Sequence, residues 1–157
     1  MKGIASAKVI KSVSGRNVSD FMDECIFCKI ASGNGKAEKL YEDEKTLAFL
    51  DIFPASQGHS LVIPKKHYRT LSEMNADDLS ATIKTVQKIG KAVAKAMDAD
   101  GFNVVQSNER AAGQVVLHVH FHVIPRKEGD KLSFSWPHLR EKDIDLPKSR
   151  ELIKKEL

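Results

Sequence analysis

An α+β fold, an antiparallel sheet of about five strands with the helix 76–98 against one face, is what the sequence predicts, and three observations carry it. The segment LHVHFHVIPR, Leu117 to Arg126, alternates imidazole and apolar side chains, the period of a half-buried strand. The segment NADDLSATIKTVQKIGKAVAKAM instead repeats its apolar residues at helical spacing. FNVVQS, Phe102 to Ser107, reaches the histidine segment through the loop NERAAGQ, a short Gly-containing connection that suits an antiparallel pair.

Taken in order, CIFCKI reads as a turn-bounded segment, followed by a Gly/Asn loop and two short strands at 39–41 and 46–50. SLVIP, Ser60 to Pro64, is a further strand. Asn75 suits the cap of the long helix, Asp77 and Asp78 complement its N-terminal dipole, and Leu79, Ile83, Val86, Val93 and Met97 form its apolar stripe. Val, Phe and Ile make the histidine segment a strand rather than a helix, and Pro125, which has no N–H to give a ladder, should mark its end. Beyond Lys131, Trp136 is expected to pack on the domain and Ser149 to Leu157 to form a short helix. The chain therefore divides into an N-terminal extension over 1–22, a domain over 23–130 and a C-terminal extension over 131–157.

At 157 residues and 41% hydrophobic composition the chain can bury a real core. It has no apolar run near the roughly 20 residues a bilayer-spanning helix needs, which excludes such a helix. The net charge of +4 comes from Lys2, Lys8, Lys11 and Arg16; the other 21 basic residues equal the 21 acids. Without a concentrated basic patch, nucleic acid is not an expected partner. The extension is Ser-rich, basic and free of acids before Asp20, as organelle transit peptides are, and a disordered terminus is the alternative. Two cysteines without a secretory signal favour a reducing compartment, the cytoplasm, or a mitochondrion or other organelle if the extension is a transit peptide.

Three of the six histidines, His118, His120 and His122, fall on one face of the strand, opposite Val119, Phe121 and Val123. They admit a metal site, a catalytic set in which one imidazole attacks while its neighbours orient it, or a solvated polar face. Three in register make the last reading unattractive. Cys25 and Cys28, at CxxC spacing, admit redox thiols, half of a zinc site or a plain reduced pair; as half of a zinc site they would need two more ligands, for which His67 and His118 are the candidates.

GQVVLHVHFHVI, residues 113–124, strongly resembles the HxHxHxx signature of the histidine triad (HIT) superfamily. CIFCKI at 25–30, LAFLDIFPASQGHSLVIPKKH at 47–67 and Asn108 ahead of Gly113 and Gln114 match in the same order, so the resemblance spans roughly residues 24–128. It implies a HIT-like fold, a homodimer and a nucleotide hydrolase or nucleotidyl transferase acting at an α-phosphate. His120 would be the nucleophile, its tautomer fixed by a backbone carbonyl near His118, with His122 and Gln114 donating to phosphate oxygens and His59 near the triad. Asp51 would take both ribose hydroxyls, Ile52 and Phe27 would sandwich a purine, as in AMP or GMP conjugates, and Asn108 would line the substrate site. Members keeping the CIFC element imply structural zinc on Cys25, Cys28, His67 and His118. Many members carry Ser or Thr after the Gln; here Val115 stands there, without a hydroxyl for the leaving group. HVIPRKEGD after the triad resembles the dinucleoside polyphosphate hydrolase branch, and an interaction module with incidental turnover is a further alternative.

Overall fold

The computed structural model describes residues 25–133, 138, 140 and 144–157. The N-terminal extension and Trp136 lie outside them. A short helix α1 (Ile26–Ala31) leads to strands β1 (Lys39–Glu42), β2 (Thr46–Leu50) and β3 (Ser60–Pro64). Helix α2 (Ala76–Ala96), strands β4 (Gly101–Gln106) and β5 (Phe121–Arg126), and a terminal helix α3 (Leu146–Lys154) follow. The five strands form one sheet in the order β1-β2-β3-β5-β4, each neighbouring pair antiparallel. The expected α+β architecture is present, with α2 where the sequence places it.

Both faces of the sheet are covered, which is why β2 and β3 are buried almost throughout. On one face Ala48, Val62, Val119, Phe121 and Val123 pack against Val86, Ile89 and Val93 of α2. On the other Leu47, Phe49, Leu61 and Ile63 pack against Phe27 and Ile30 of α1. His122 lies opposite Leu61 in the β3–β5 ladder and so belongs to the α1 face.

Helix α2 begins where Asn75 Oδ1 accepts the Asp78 N–H at 2.8 Å. Its buried stripe runs through Thr82, Thr85, Val86, Ile89, Gly90 and Val93. Ile83, expected on that stripe, is 45% exposed; Thr82, back-bonded to the Asp78 carbonyl, takes the inward position. The CIFCKI segment, which the sequence marks only as turn-bounded, is a helix; six residues are too few to display a 3.6-residue period in sequence. Two further expectations are corrected. Pro125 does not end β5, because β3 pairs with β5 only over Phe121–Val123, and at Pro125 only β4 is left as a partner. The final helix starts at Leu146, capped by Asp145, rather than at Ser149.

Candidate active site

The histidine strand is also shorter than expected. Ladder pairing starts at Phe121, so only His122 is a strand residue, while His118 and His120 sit in an irregular lead-in. The alternation survives because Val119 N–H donates to the Tyr68 carbonyl at 2.7 Å, holding the lead-in against the segment after β3. Val119, Phe121 and Val123 therefore enter the core while the three imidazoles stay together on the opposite face, the His120 and His122 rings 5.0 Å apart.

His120 Nδ1 lies 2.7 Å from the His118 carbonyl oxygen. A carbonyl can only accept, so Nδ1 carries the proton and Nε2 keeps its lone pair. Burial holds this imidazole below its ordinary pKa, so it is neutral near pH 7. Phe27 backs it edge-on at 5.3 Å. Phe27, expected to sandwich a base with Ile52, is buried at 7% exposure and also packs on Phe49, so it supports the His120 ring from the core. Ile52, its expected partner in that sandwich, is 79% exposed.

His122 is pushed down to about 4 by burial and by the neighbouring His120 and His59. Its Nδ1 lies 2.9 Å from His59 Nε2, and the Ala55 N–H donates to His59 Nδ1 at 3.0 Å. Asp51 joins this group, with Oδ2 at 3.5 Å from His59 Nε2 and 3.8 Å from His122 Nδ1, while Oδ1 accepts the Phe53 N–H. His59 is therefore beside the triad, and Asp51, expected at the ribose, lies next to both.

Gln114 and Asn108 are not aimed at it. Gln114 is buried, its Oε1 accepting from the Glu109 N–H at 2.8 Å and its Nε2 donating to the Arg69 carbonyl at 2.7 Å. Asn108 exchanges amide hydrogen bonds with Gln106 and accepts the Leu71 N–H at 2.7 Å. In this conformation both brace the loop before the triad instead of presenting donors to a phosphate. Val115 is 90% exposed. Backbone groups complete the site, the Pro64 and His118 carbonyls and the Ala55 N–H, and these carry no side-chain signal that a sequence could show.

Cys25, Cys28, His67 and His118 converge so that one donor atom from each lies within 4.8 Å of the others. His118 is fully buried and gives Nε2–H to the Pro64 carbonyl at 2.9 Å, which leaves its Nδ1 lone pair 3.5 Å from both sulfurs. His67 Nδ1 is 3.2 Å from Cys28 Sγ. Burial keeps both imidazoles neutral, His118 at about 4, the state a ligand needs. Burial, then the neighbouring Cys25, pushes the Cys28 thiol up to about 12, so a cation is what would expel its proton. Two thiols and two neutral imidazoles in this arrangement fit tetrahedral zinc.

A family model described as the HIT domain matches residues 32–129. The chain is 50% identical over 121 residues to an uncharacterized HIT-like protein of Methanocaldococcus jannaschii, covering 77% of this chain and 93% of that one. It is 43% identical over 139 residues to an adenosine 5′-monophosphoramidase of Candida albicans, covering 85% and 91%. Among solved structures it resembles a zinc-bound histidine triad family protein of Mycobacterium smegmatis, with a TM-score of 0.69, 41% identity and 77% and 88% of the two chains covered. The sheet order, the three imidazoles on the α1 face and these matches agree: the chain belongs to the histidine triad family.

Proposed function

We propose that the protein hydrolyses nucleoside 5′-phosphoramidates and related NMP-X conjugates of AMP or GMP, through a nucleotidyl intermediate on His120. The observation that carries this reading is the His120 Nδ1–H held on the His118 carbonyl, which leaves a neutral, unprotonated Nε2 beside His122. A relative named for adenosine 5′-monophosphoramidase activity supports the choice of substrate class.

The His120 Nε2 lone pair forms a bond to the α-phosphorus while the bond to the leaving group breaks; that group departs with the electron pair and takes a proton from solvent. No hydroxyl at position 115 is needed for this step. The substituted imidazole then carries positive charge, which the His118 carbonyl dipole stabilises through Nδ1–H, and it is a good leaving group. Water attacks the phosphorus, the N–P bond breaks back to Nε2, and the water's proton passes to solvent as NMP leaves. His122 donates to the phosphate oxygens as their charge redistributes, a contribution of about 10²–10³ in rate for a single well-placed donor. Asp51 accepts the ribose hydroxyls.

Cys25, Cys28, His67 and His118 would hold zinc with no open coordination position, so the ion would supply rigidity to the segment that carries His120. The catalytic domain is 23–130, between extensions at 1–22 and 131–157, and works as a homodimer. No described helix is long and apolar enough to cross a membrane.

The test compares AMP release from adenosine 5′-phosphoramidate and from diadenosine polyphosphates, with native protein and His120→Gly. Turnover of the phosphoramidate that disappears in the variant is expected. Preference for the polyphosphates would move the protein to dinucleoside polyphosphate hydrolysis. AMP binding without turnover of either would make it a binding module.

A further inference from the structure

The His59–His122 pair carries more information than proximity. The Ala55 amide can only donate, and it donates to His59 Nδ1 at 3.0 Å. The single proton of neutral His59 must then reside on Nε2. That proton points at His122 Nδ1, 2.9 Å away, which must accept it. The proton of neutral His122 is consequently on Nε2, on the opposite side of its ring. The direction of the whole chain is set by one backbone N–H.

Asp51 pulls the other way. Its Oδ2 lies 3.8 Å from His122 Nδ1, and a carboxylate beside an imidazole draws an N–H toward itself. Left to Asp51, His122 would hold its proton on Nδ1 and turn a bare lone pair to the anionic phosphate. His59 prevents this by occupying Nδ1 as donor, and its own Nε2–H is also 3.5 Å from the same carboxylate oxygen. At 5% exposure His59 is shielded from solvent exchange by its surroundings. The turn that presents Ala55 is itself braced: Asp51 Oδ1 takes the Phe53 N–H, His59 N–H bonds the Ser56 carbonyl, and Gly58 adopts φ +85°.

We propose that His59 is a positioning residue that locks His122 in its Nε2–H tautomer through the Ala55 amide, overriding Asp51 so that His122 always presents a donor to the phosphate. The same proton explains a contrast between two clusters. Asp51, His59 and His122 are as closely grouped as the two cysteines with His67 and His118, yet His59 Nε2 is protonated whereas His118 Nδ1 is a free lone pair. Only the latter set has its imidazole ready for a cation. The inference rests on the phosphate-directed role proposed above for His122.

Two substitutions separate tautomer control from simple support of the loop. His59→Gln places an amide N–H where Nε2 was and loses the acceptor for Ala55. His59→Asn keeps an acceptor near Nδ1 and loses the donor to His122. The experiment measures kcat and KM on adenosine 5′-phosphoramidate for the full chain and both variants, and reads the His122 tautomer by long-range ¹H–¹⁵N correlation without ligand. The expected result is an Nε2–H His122 in the native protein, about a hundredfold loss of kcat with little change in KM in His59→Asn, matched by growth of the Nδ1–H form. His59→Gln should stay within about tenfold of native. A native His122 protonated on Nδ1 would overturn the proposal, as would the opposite ranking, with Asn active and Gln inactive, which marks a loop support. If the native protein shows the Nε2–H tautomer but hydrolyses no nucleotide, the lock stands and the proposed function fails.

Discussion

Gly90 lies in the middle of α2, where glycine is a poor choice on helical grounds: alanine there favours the helix by about 1 kcal/mol. A methyl at position 90, however, would stand 2.5 Å from Phe102 Cε2 and 2.6 Å from its Cζ. Ordinary carbon contacts lie near 3.5–4.0 Å, so the ring must move by about 1 Å, and such overpacking costs about 1–3 kcal/mol. Phe102 is fixed in β4 opposite Pro125, but at 39% exposure its ring can partly swing outward, which places the cost in the lower half of that range. The net expectation for Gly90→Ala is a destabilisation of up to about 1 kcal/mol, read as a urea midpoint lower by up to about 0.5 M. In a Phe102→Ala background the clash is gone, and the same substitution should instead stabilise by up to about 1 kcal/mol. Because α2 packs on the sheet face opposite the imidazoles, turnover per folded molecule should not change. Equal stabilisation by Gly90→Ala in both backgrounds would refute the steric argument.

Other perturbations probe the site and its supports. Cys28→Ser should abolish zinc co-purification measured by elemental analysis, and should make the melting temperature insensitive to a chelator that lowers it in the native protein. Gln114→Ala leaves the Glu109 N–H and the Arg69 carbonyl without their partner, a cost of about 1–3 kcal/mol in urea unfolding; a null effect would mean the amide braces nothing. Asp43 has a pH signature. Burial alone would raise its pKa, but hydrogen bonds from the Thr46 N–H and hydroxyl, the Lys45 N–H and Tyr41 outweigh it and hold the carboxyl below its ordinary value. A carboxyl depressed by folding stabilises above its unfolded pKa of about 3.9, and that stability is lost as pH falls through the folded value. Asp43→Asn should therefore be less stable than native at pH 7, with the gap closing below about pH 4; a gap constant from pH 7 to 3 would exclude the linkage.

The parts of the molecule with a period were legible in sequence. Short apolar, β-branched runs placed β2 and β3, alternation placed the histidine face, and capping plus apolar spacing placed α2 from Ala76 onward. The convergence of the two cysteines with His67 and His118 was legible because donor chemistry restricts the candidates for such a cluster to few residue types. What escaped lacks a local signal. The α1 helix is a turn and a half long, Ile83 and Thr82 exchange roles within one apolar stripe, and β5 pairs later than its alternation begins because the lead-in bonds Tyr68 instead of a strand. The amides of Gln114 and Asn108 are committed to backbone groups of Arg69 and Leu71, far away in sequence, and nothing near them announces it.

The segment from His118 to Val123 carries imidazoles and core side chains on alternate residues. Such a segment counts in twos. Inserting or deleting a single residue there would bring imidazoles into the layer beneath α2 and turn valine and phenylalanine to the imidazole side, so a length change of one would destroy stability and activity together. A change of two keeps the parity and could cost activity alone. The protein can vary its loops in ones, but this segment admits change only in pairs.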